Sequence, residues 1–162
     1  MNPLGELLSS DDIQVDVDVS TKEQVLRKIA SLLALRHGIP ESIILDGMHT
    51  REQLGSTGVG HGVAIPHARM PQCSAAAAAF VRTKTGVPFD APDGKPVSVF
   101  LGLIVPNMAN ERHLQLLATA AGMLGDRAFR DKLRGCADSA AVKDLLTAWP
   151  DAPPGDPGAT SA

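Results

Sequence analysis

The sequence predicts an α/β domain. Three observations carry that reading: apolar residues recur at helical spacing over residues 21–54, β-branched and alanine-rich runs bounded by turn residues fill the middle of the chain, and helical patterns return after residue 110. Helices therefore flank strands on both sides in sequence. A chain of 162 residues, 44% apolar and 20% charged, suits one core, since that length buries roughly 68–70% of its unfolded surface. Its mean hydropathy of +0.03 is too high for disorder along the whole length.

Ser20-Thr21-Lys22-Glu23 has the S-x-x-E form of a capping box and opens a helix over residues 21–37. Val25, Leu26, Ile29, Leu32 and Leu33 mark its apolar face, and Gly38 and Pro40 stop it. Pro40 suits the first turn of a second helix over residues 41–54, with Ile43, Ile44, Met48 and Leu54. Residues 55–62 then hold four glycines in eight positions, which no stable helix tolerates. Val63-Ala64-Ile65 leaves this loop as a short strand ended by Pro66, and residues 76–83 and 97–105 read as further strands. The turn-rich segment 88–96 joins the last two as an antiparallel pair, and residues 15–19 add an edge strand. Asn107 to Asn110 offer caps for a helix running through Leu124, while Asp126 caps one to Leu133 and Asp138 one to Leu146. Four prolines in residues 150–162, with no side chain to anchor them, predict a disordered tail after a domain of residues 1–149.

Composition excludes several functions. The 15 basic and 18 acidic residues give a net charge of −3 with no basic block, and aromatics are only 3%, so nucleic acid is not an expected partner. The first ten residues lack the basic start and apolar stretch of a secretory signal, and no apolar run approaches the roughly 20 residues of a bilayer span. A cytoplasmic protein without membrane insertion is expected. Cys73 and Cys136 form no CxxC pattern and read as two buried thiols.

The glycine loop fails both nucleotide fingerprints. Gly55 and Gly60 have P-loop spacing, but His61-Gly62 stands where Lys and Ser/Thr are required; Gly58-x-Gly60 begins a dinucleotide motif whose third glycine is replaced by Val63. Histidine is then the reactive group left. His67 follows Pro66, which fixes the backbone and suits a rigidly held, accessible nucleophile. Arg51 and Arg69 offer planar, permanently charged donors to an anion. His113, in the first turn of a helix capped by Asn110, lies where the dipole favours a neutral ring and a bound anion. A metal site from His61, His67 and Cys73 matches no common zinc spacing, and His37 and His49 read as ordinary solvated residues.

The segment Arg51-Glu52-Gln53-Leu54-Gly55-Ser56-Thr57-Gly58-Val59-Gly60-His61-Gly62-Val63-Ala64-Ile65-Pro66-His67 resembles the active-site segment of enzyme IIA of the fructose/mannitol type in the phosphoenolpyruvate phosphotransferase system. Phe89 to Val97, Leu103-Ile104-Val105-Pro106 and His113-Leu114 extend the likeness, which spans residues 4–148 and is strongest to the nitrogen-regulatory branch. The resemblance implies a single domain with a mixed parallel and antiparallel sheet flanked by helices on both faces. It implies that His67 accepts a phosphoryl group from a phosphohistidine of HPr or its nitrogen-branch paralogue, with Arg51 and His113 in supporting roles. Ala68 stands where the family often has Gly, and His61 where Asn is common; His61 adds titratable charge beside the site.

Transfer between two histidines requires no metal or cofactor, only an in-line nucleophile and stabilised equatorial oxygens. Arg51 and His113 would supply that stabilisation, and Ser56, Thr57, Gly58 and Gly60 would form a loop whose amides cradle the phosphate. Val59, Val63 and Met70 are the expected apolar rim for the partner protein. Two other functions stay open at this level: a sugar-specific IIA passing phosphate to a IIB domain, and a protein-binding regulator without catalysis.

Overall fold

Five strands laid side by side in the order β1 (Ile13–Val17), β5 (Ala77–Val87), β6 (Val97–Pro106), β3 (Val63–Ala64) and β2 (Gly58–Gly60), with a sixth, β4 (His67–Met70), also on β6, form the centre of the molecule. The computed structural model describes residues 2–107 and 111–150. Residues 108–110, where a cap for the fourth helix is expected, and residues 151–162 of the expected tail lie outside the described residues.

The first element is one the sequence pattern does not announce. Helix α1 (Pro3–Leu7) has too few turns to show periodicity, and its start is set by Asn2, whose Oδ1 accepts from the Gly5 amide at 2.9 Å. The same buried side chain donates from Nδ2 to the Leu146 and Trp149 carbonyls at 2.8 and 2.9 Å, so it caps two helix ends at once. Strand β1 (Ile13–Val17) follows and is an edge strand, as expected. Helix α2 (Lys22–His37) has its capping box one residue later than predicted: Thr21 Oγ1 accepts from the Gln24 amide and Gln24 Oε1 from those of Thr21 and Ser20. This leaves Glu23 free to meet Arg27 at 2.9 Å and His49 Nε2 at 2.6 Å, so His49 joins α2 to α3 (Glu41–Gln53).

The remaining elements are β2 (Gly58–Gly60), β3 (Val63–Ala64), β4 (His67–Met70), β5 (Ala77–Val87), β6 (Val97–Pro106), α4 (Glu111–Gly125), α5 (Arg127–Gly135) and α6 (Ser139–Ala148). Pro66 does not end the strand as predicted. The chain breaks its ladder for two residues and resumes as β4, because β3 and β4 run in one line along β6, with Val63 beside Val99 and His67 beside Leu103. Strands β5 and β6 are antiparallel, as the turn-rich link requires, while β1 on β5 and β3 and β4 on β6 are parallel. The sheet is mixed.

Alternation along these strands divides the core in two. Phe100, Ile104, Val81, Ala68 and Met70 pack with α2 and α3 on one face; Phe80, Leu101, Leu103 and Val63 pack with α4, α5 and α6 on the other. Both faces are covered by helices. Among the described residues no helix is long and apolar enough to cross a membrane. Both cysteines are free thiols; Cys73 is buried, which pushes its thiol up from the ordinary value, and Cys136 is half-buried. Arg82, on β5, closes α5 from inside the core by donating to the Leu133 and Cys136 carbonyls at 2.9 and 2.7 Å.

Helix α2 rests so closely on β6 that a Cβ at Gly102 would lie 2.4 Å from Ile29 Cγ2. Gly102→Ala is therefore expected to destabilise the fold by about 1–3 kcal/mol in urea titration, as overpacking does, and Ile29→Ala in the same chain should recover part of the loss. Additive costs in the double variant would show that the contact is not the cause.

Candidate functional site

The break between β3 and β4 is what sets the site. Ile65 donates its amide to the Thr57 carbonyl at 3.0 Å, and Pro66 accepts from the Leu103 amide at 2.9 Å, so both residues are pinned although neither lies in a strand. The Ile65 carbonyl then points at the next histidine and lies 2.8 Å from His67 Nδ1. A carbonyl only accepts, so Nδ1 carries the proton of the neutral ring and Nε2 carries the lone pair. His67 is half-buried at the start of β4, with its tautomer and orientation both set by the Ile65 carbonyl. The next side chain, Ala68, is buried against α3, where Gly47 leaves room: a Cβ on Gly47 would lie 3.4 Å from the Ala68 methyl.

Arg51 occupies the last turn of α3, where a cation complements the helix dipole. Its Nη1 donates to the Gly55 carbonyl at 2.8 Å, which ties the guanidinium to the glycine loop and leaves its other donors uncommitted to that bond. Glu52, which sequence reasoning did not single out, is the brace of the loop. Its carboxylate accepts from the Thr57 amide at 3.1 Å and from the Thr57 hydroxyl, and meets Lys22 Nζ at 2.9 Å. Lys22 in turn lies 4.6 Å above the Phe89 ring. Its adjacency to Arg51 in a polar run carries no periodic signal; only the loop's return toward the helix end reveals the role.

The loop residues are engaged with their own surroundings. Ser56 Oγ donates to the Phe89 carbonyl at 2.6 Å and accepts from the Gly58 amide at 3.0 Å. The amides of Thr57 and Gly58 are thus committed within the loop, and the Ser56, Thr57 and Gly58 segment acts here as a support for Ile65 and His67. Gly58 is required by close approach, since a Cβ there would lie 2.9 Å from the Ala91 methyl. Gly60 sits toward the tip of the β2–β3 hairpin, beside Asp93.

His61 is placed differently from its sequence expectation. Together with Gly62 it forms the two-residue turn of that hairpin, with φ of +58° and +78°, the left-handed pair that favours Asn at the first position. A histidine fits the same backbone at some cost, which accounts for the departure from Asn. The turn faces α5 and not the His67 ring: the His61 carbonyl accepts from Arg134, and its amide donates to Asp93 Oδ2 at 2.9 Å. That amide, and then the one of Lys95, hold the Asp93 carboxyl below its ordinary range.

His113 lies in the first turn of α4, half-buried, beside a cavity of about 350 Å³ bounded by Ser74, Ala76, Glu6 and Leu116. β6 ends at Pro106, three residues past the partner of His67, and α4 begins at Glu111 on the sheet face to which Leu103 belongs. Two members of the expected rim are corrected. Val63 and Met70 are buried, because they point into the two helical layers, and only Val59 of that set is exposed. Besides Leu35 on α2, the other exposed large apolar side chains are Leu54 at the end of α3 and Leu114 next to His113, at 82% and 58%.

Comparison with known proteins bears on this arrangement. The family model described as phosphoenolpyruvate-dependent sugar phosphotransferase system, EIIA 2, matches residues 6–149. A nitrogen regulatory protein of Pseudomonas aeruginosa is 38% identical over 146 residues, covering 88% of this chain and 94% of that protein. The crystal structure of nitrogen regulatory protein IIA-Ntr from Neisseria meningitidis superposes with a TM-score of 0.85 at 38% identity, covering 88% of this chain and 98% of that one. The mannitol IIA of Escherichia coli shares the fold, with a TM-score of 0.72 at 22% identity over 86% of this chain and 98% of that one.

Removing the brace should be visible locally. Glu52→Ala leaves the Thr57 amide and hydroxyl without their acceptor and is expected to cost about 1–3 kcal/mol in urea titration. Amide exchange should accelerate at Thr57 and Ile65 and stay unchanged in β5 and β6; a uniform acceleration would mean that Glu52 supports the whole fold and not the loop.

Proposed function

The chain belongs to the EIIA 2 family of the phosphoenolpyruvate-dependent sugar phosphotransferase system, and from that premise we propose that it is a phosphohistidine carrier of the nitrogen-regulatory type. The observation that carries this reading is the 2.8 Å contact between His67 Nδ1 and the Ile65 carbonyl, which frees Nε2 for attack. In the proposed step the Nε2 lone pair of neutral His67 attacks the phosphorus of a phosphohistidine on the donor protein. The donor's P–N bond breaks and its electron pair returns to a donor ring that carries a proton on its other nitrogen, so neutral imidazole leaves and no proton need move. The phosphorylated His67 ring gains positive character while keeping its Nδ1 proton, and the Ile65 carbonyl stabilises it as acceptor.

Arg51, anchored through Gly55, and His113, at a helix start, are the groups assigned to the equatorial oxygens. The braced loop of Ser56, Thr57, Gly58 and Gly60 holds the geometry in which they act. The donor is a protein of the HPr type, because both ends of the transfer are histidines; the setting is the cytoplasm, and downstream proteins read the phosphorylation state. Two added negative charges at a half-exposed ring change the local potential and so select among partners. Leu54, Val59 and Leu114 project from the elements that carry Arg51, the loop and His113, and form the proposed apolar rim.

Incubation with phosphoenolpyruvate, enzyme I and the HPr-type carrier should add one acid-labile phosphoryl group, followed by intact-mass spectrometry at neutral pH. His67→Ala should add none; Arg51→Gln should slow transfer by roughly 10²-fold with unchanged melting temperature. Unmodified wild-type protein beside an active control acceptor would overturn the carrier reading. Leu54→Ser with Leu114→Ser should lower transfer at limiting donor and leave the rate at saturating donor near wild type. Equal rates at all donor concentrations would place the docking rim elsewhere.

A further inference from the structure

At the tip of the β2–β3 hairpin a groove of about 410 Å³ opens between the His61-Gly62 turn, the residues preceding β6 and helix α5. Lys95, Arg127, Arg130 and Arg134 line it, with Ser98 and a single carboxylate, Asp131. It is separate from the proposed carrier site: Val99, beside Val63 at this end of β6, is four residues from Leu103 beside His67, or roughly 13 Å along a strand.

Two of its guanidinium groups are held by main-chain carbonyls. Arg130, only 6% exposed, donates Nη1 to the Leu124 carbonyl at 3.1 Å, and Arg134 donates Nη2 to the His61 carbonyl. Gly62 makes the second contact possible, since a Cβ there would lie 2.7 Å from Arg134 Nη2. A carbonyl orients a guanidinium without cancelling its charge, and several of its N–H donors stay available. Two further acids border the groove without lining it and keep their charges: Asp93 accepts from the amides of His61 and Lys95 at 2.9 and 3.1 Å, and Asp126 from that of Phe129 at 2.9 Å. Among the described residues Lys95, Arg127 and Arg130 form no ion pair, and Arg134 reaches Asp131 only at 4.0 Å. The lining itself holds four cations and one carboxylate in a chain whose net charge is −3. Their mutual repulsion is relieved by an anion that spans them.

We infer that this groove binds a small anion carrying two or more phosphate or carboxylate charges. Oriented guanidinium forks match either oxyanion, and several of them spread along one groove suit a ligand with more than one oxyanion group. The site stands independently of the carrier function of His67.

Calorimetric titration of the full chain with inorganic pyrophosphate, citrate and orthophosphate, at low and at physiological salt, tests it. Saturable one-to-one binding of pyrophosphate or citrate, tighter than of orthophosphate and weakened by salt, is expected; which of the two binds better identifies the oxyanion. Lys95→Gln with Arg127→Gln, both exposed, should weaken binding at least tenfold or so, while the charge-matched Lys28→Gln with Lys84→Gln changes it less than about twofold. Arg51→Gln should bind like wild type. The inference is overturned by the absence of saturable binding up to about 10 mM at low salt, by equal weakening in the two charge-matched pairs, or by loss of binding in Arg51→Gln, which would place the anion at the carrier site.

Discussion

The peptide unit of Ile65 is the constraint on which the site depends. Its amide is held by Thr57 and its carbonyl holds His67 Nδ1, so one residue outside any strand connects the glycine loop to the His67 ring. This is possible only because the ladder along β6 is interrupted there. Pro66 has no amide to offer and its carbonyl still accepts from Leu103, so the interruption leaves no main-chain donor unmatched at that point. Strand register then resumes, and the alternation that buries Ala68 and Met70 leaves His67 less buried than its neighbour.

The surroundings of that peptide are arranged in tiers. Glu52 fixes Thr57, Lys22 pairs with Glu52 and lies over the Phe89 ring, and Phe89 packs edge-on against Phe100 with ring centroids 5.2 Å apart. The loop is thereby tied to the centre of the sheet through one acidic side chain and one aromatic pair. Its glycines serve close packing and turning more than openness: Gly58 lies against Ala91, and Gly62 admits Arg134. At Gly58 and Gly62 the space a Cβ would take is filled by a neighbouring atom, whereas Gly55 has nothing within 4 Å of that position.

Charge is distributed unevenly over this frame. The chain as a whole is mildly acidic, yet several carboxylates accept from main-chain amides at caps and turns: Asp93, Asp126 and Asp138 do so. Acids used in this way are held at caps and turns, and the lining of the groove beside α5 contains a single carboxylate, Asp131. Arg82 and Arg130 show the converse arrangement, in which buried guanidinium groups satisfy helix-end carbonyls, Arg82 also reaching the Asp16 carboxylate at 3.5 Å.

The sequence by itself determined the helices with whole turns and explicit caps, the antiparallel β5–β6 pair, and the family to which the chain belongs. Periodicity and capping are local, so α2, α3, α5 and α6 were legible to within a few residues, and the run from Arg51 to His67 was distinctive without any structure. Tertiary structure alone decided what depends on partners distant in the chain. It moved the capping box to Thr21, because Glu23 is drawn to His49 on another helix; it continued the strand beyond Pro66, because β6 lies alongside; and it turned Val63 and Met70 into core. It also fixed Glu52 as the loop's brace, Asn2 as a double cap and the tautomer of the His67 ring. None of these has a periodic signature, since each is set by a hydrogen bond or contact whose partner is brought near only by the folded chain.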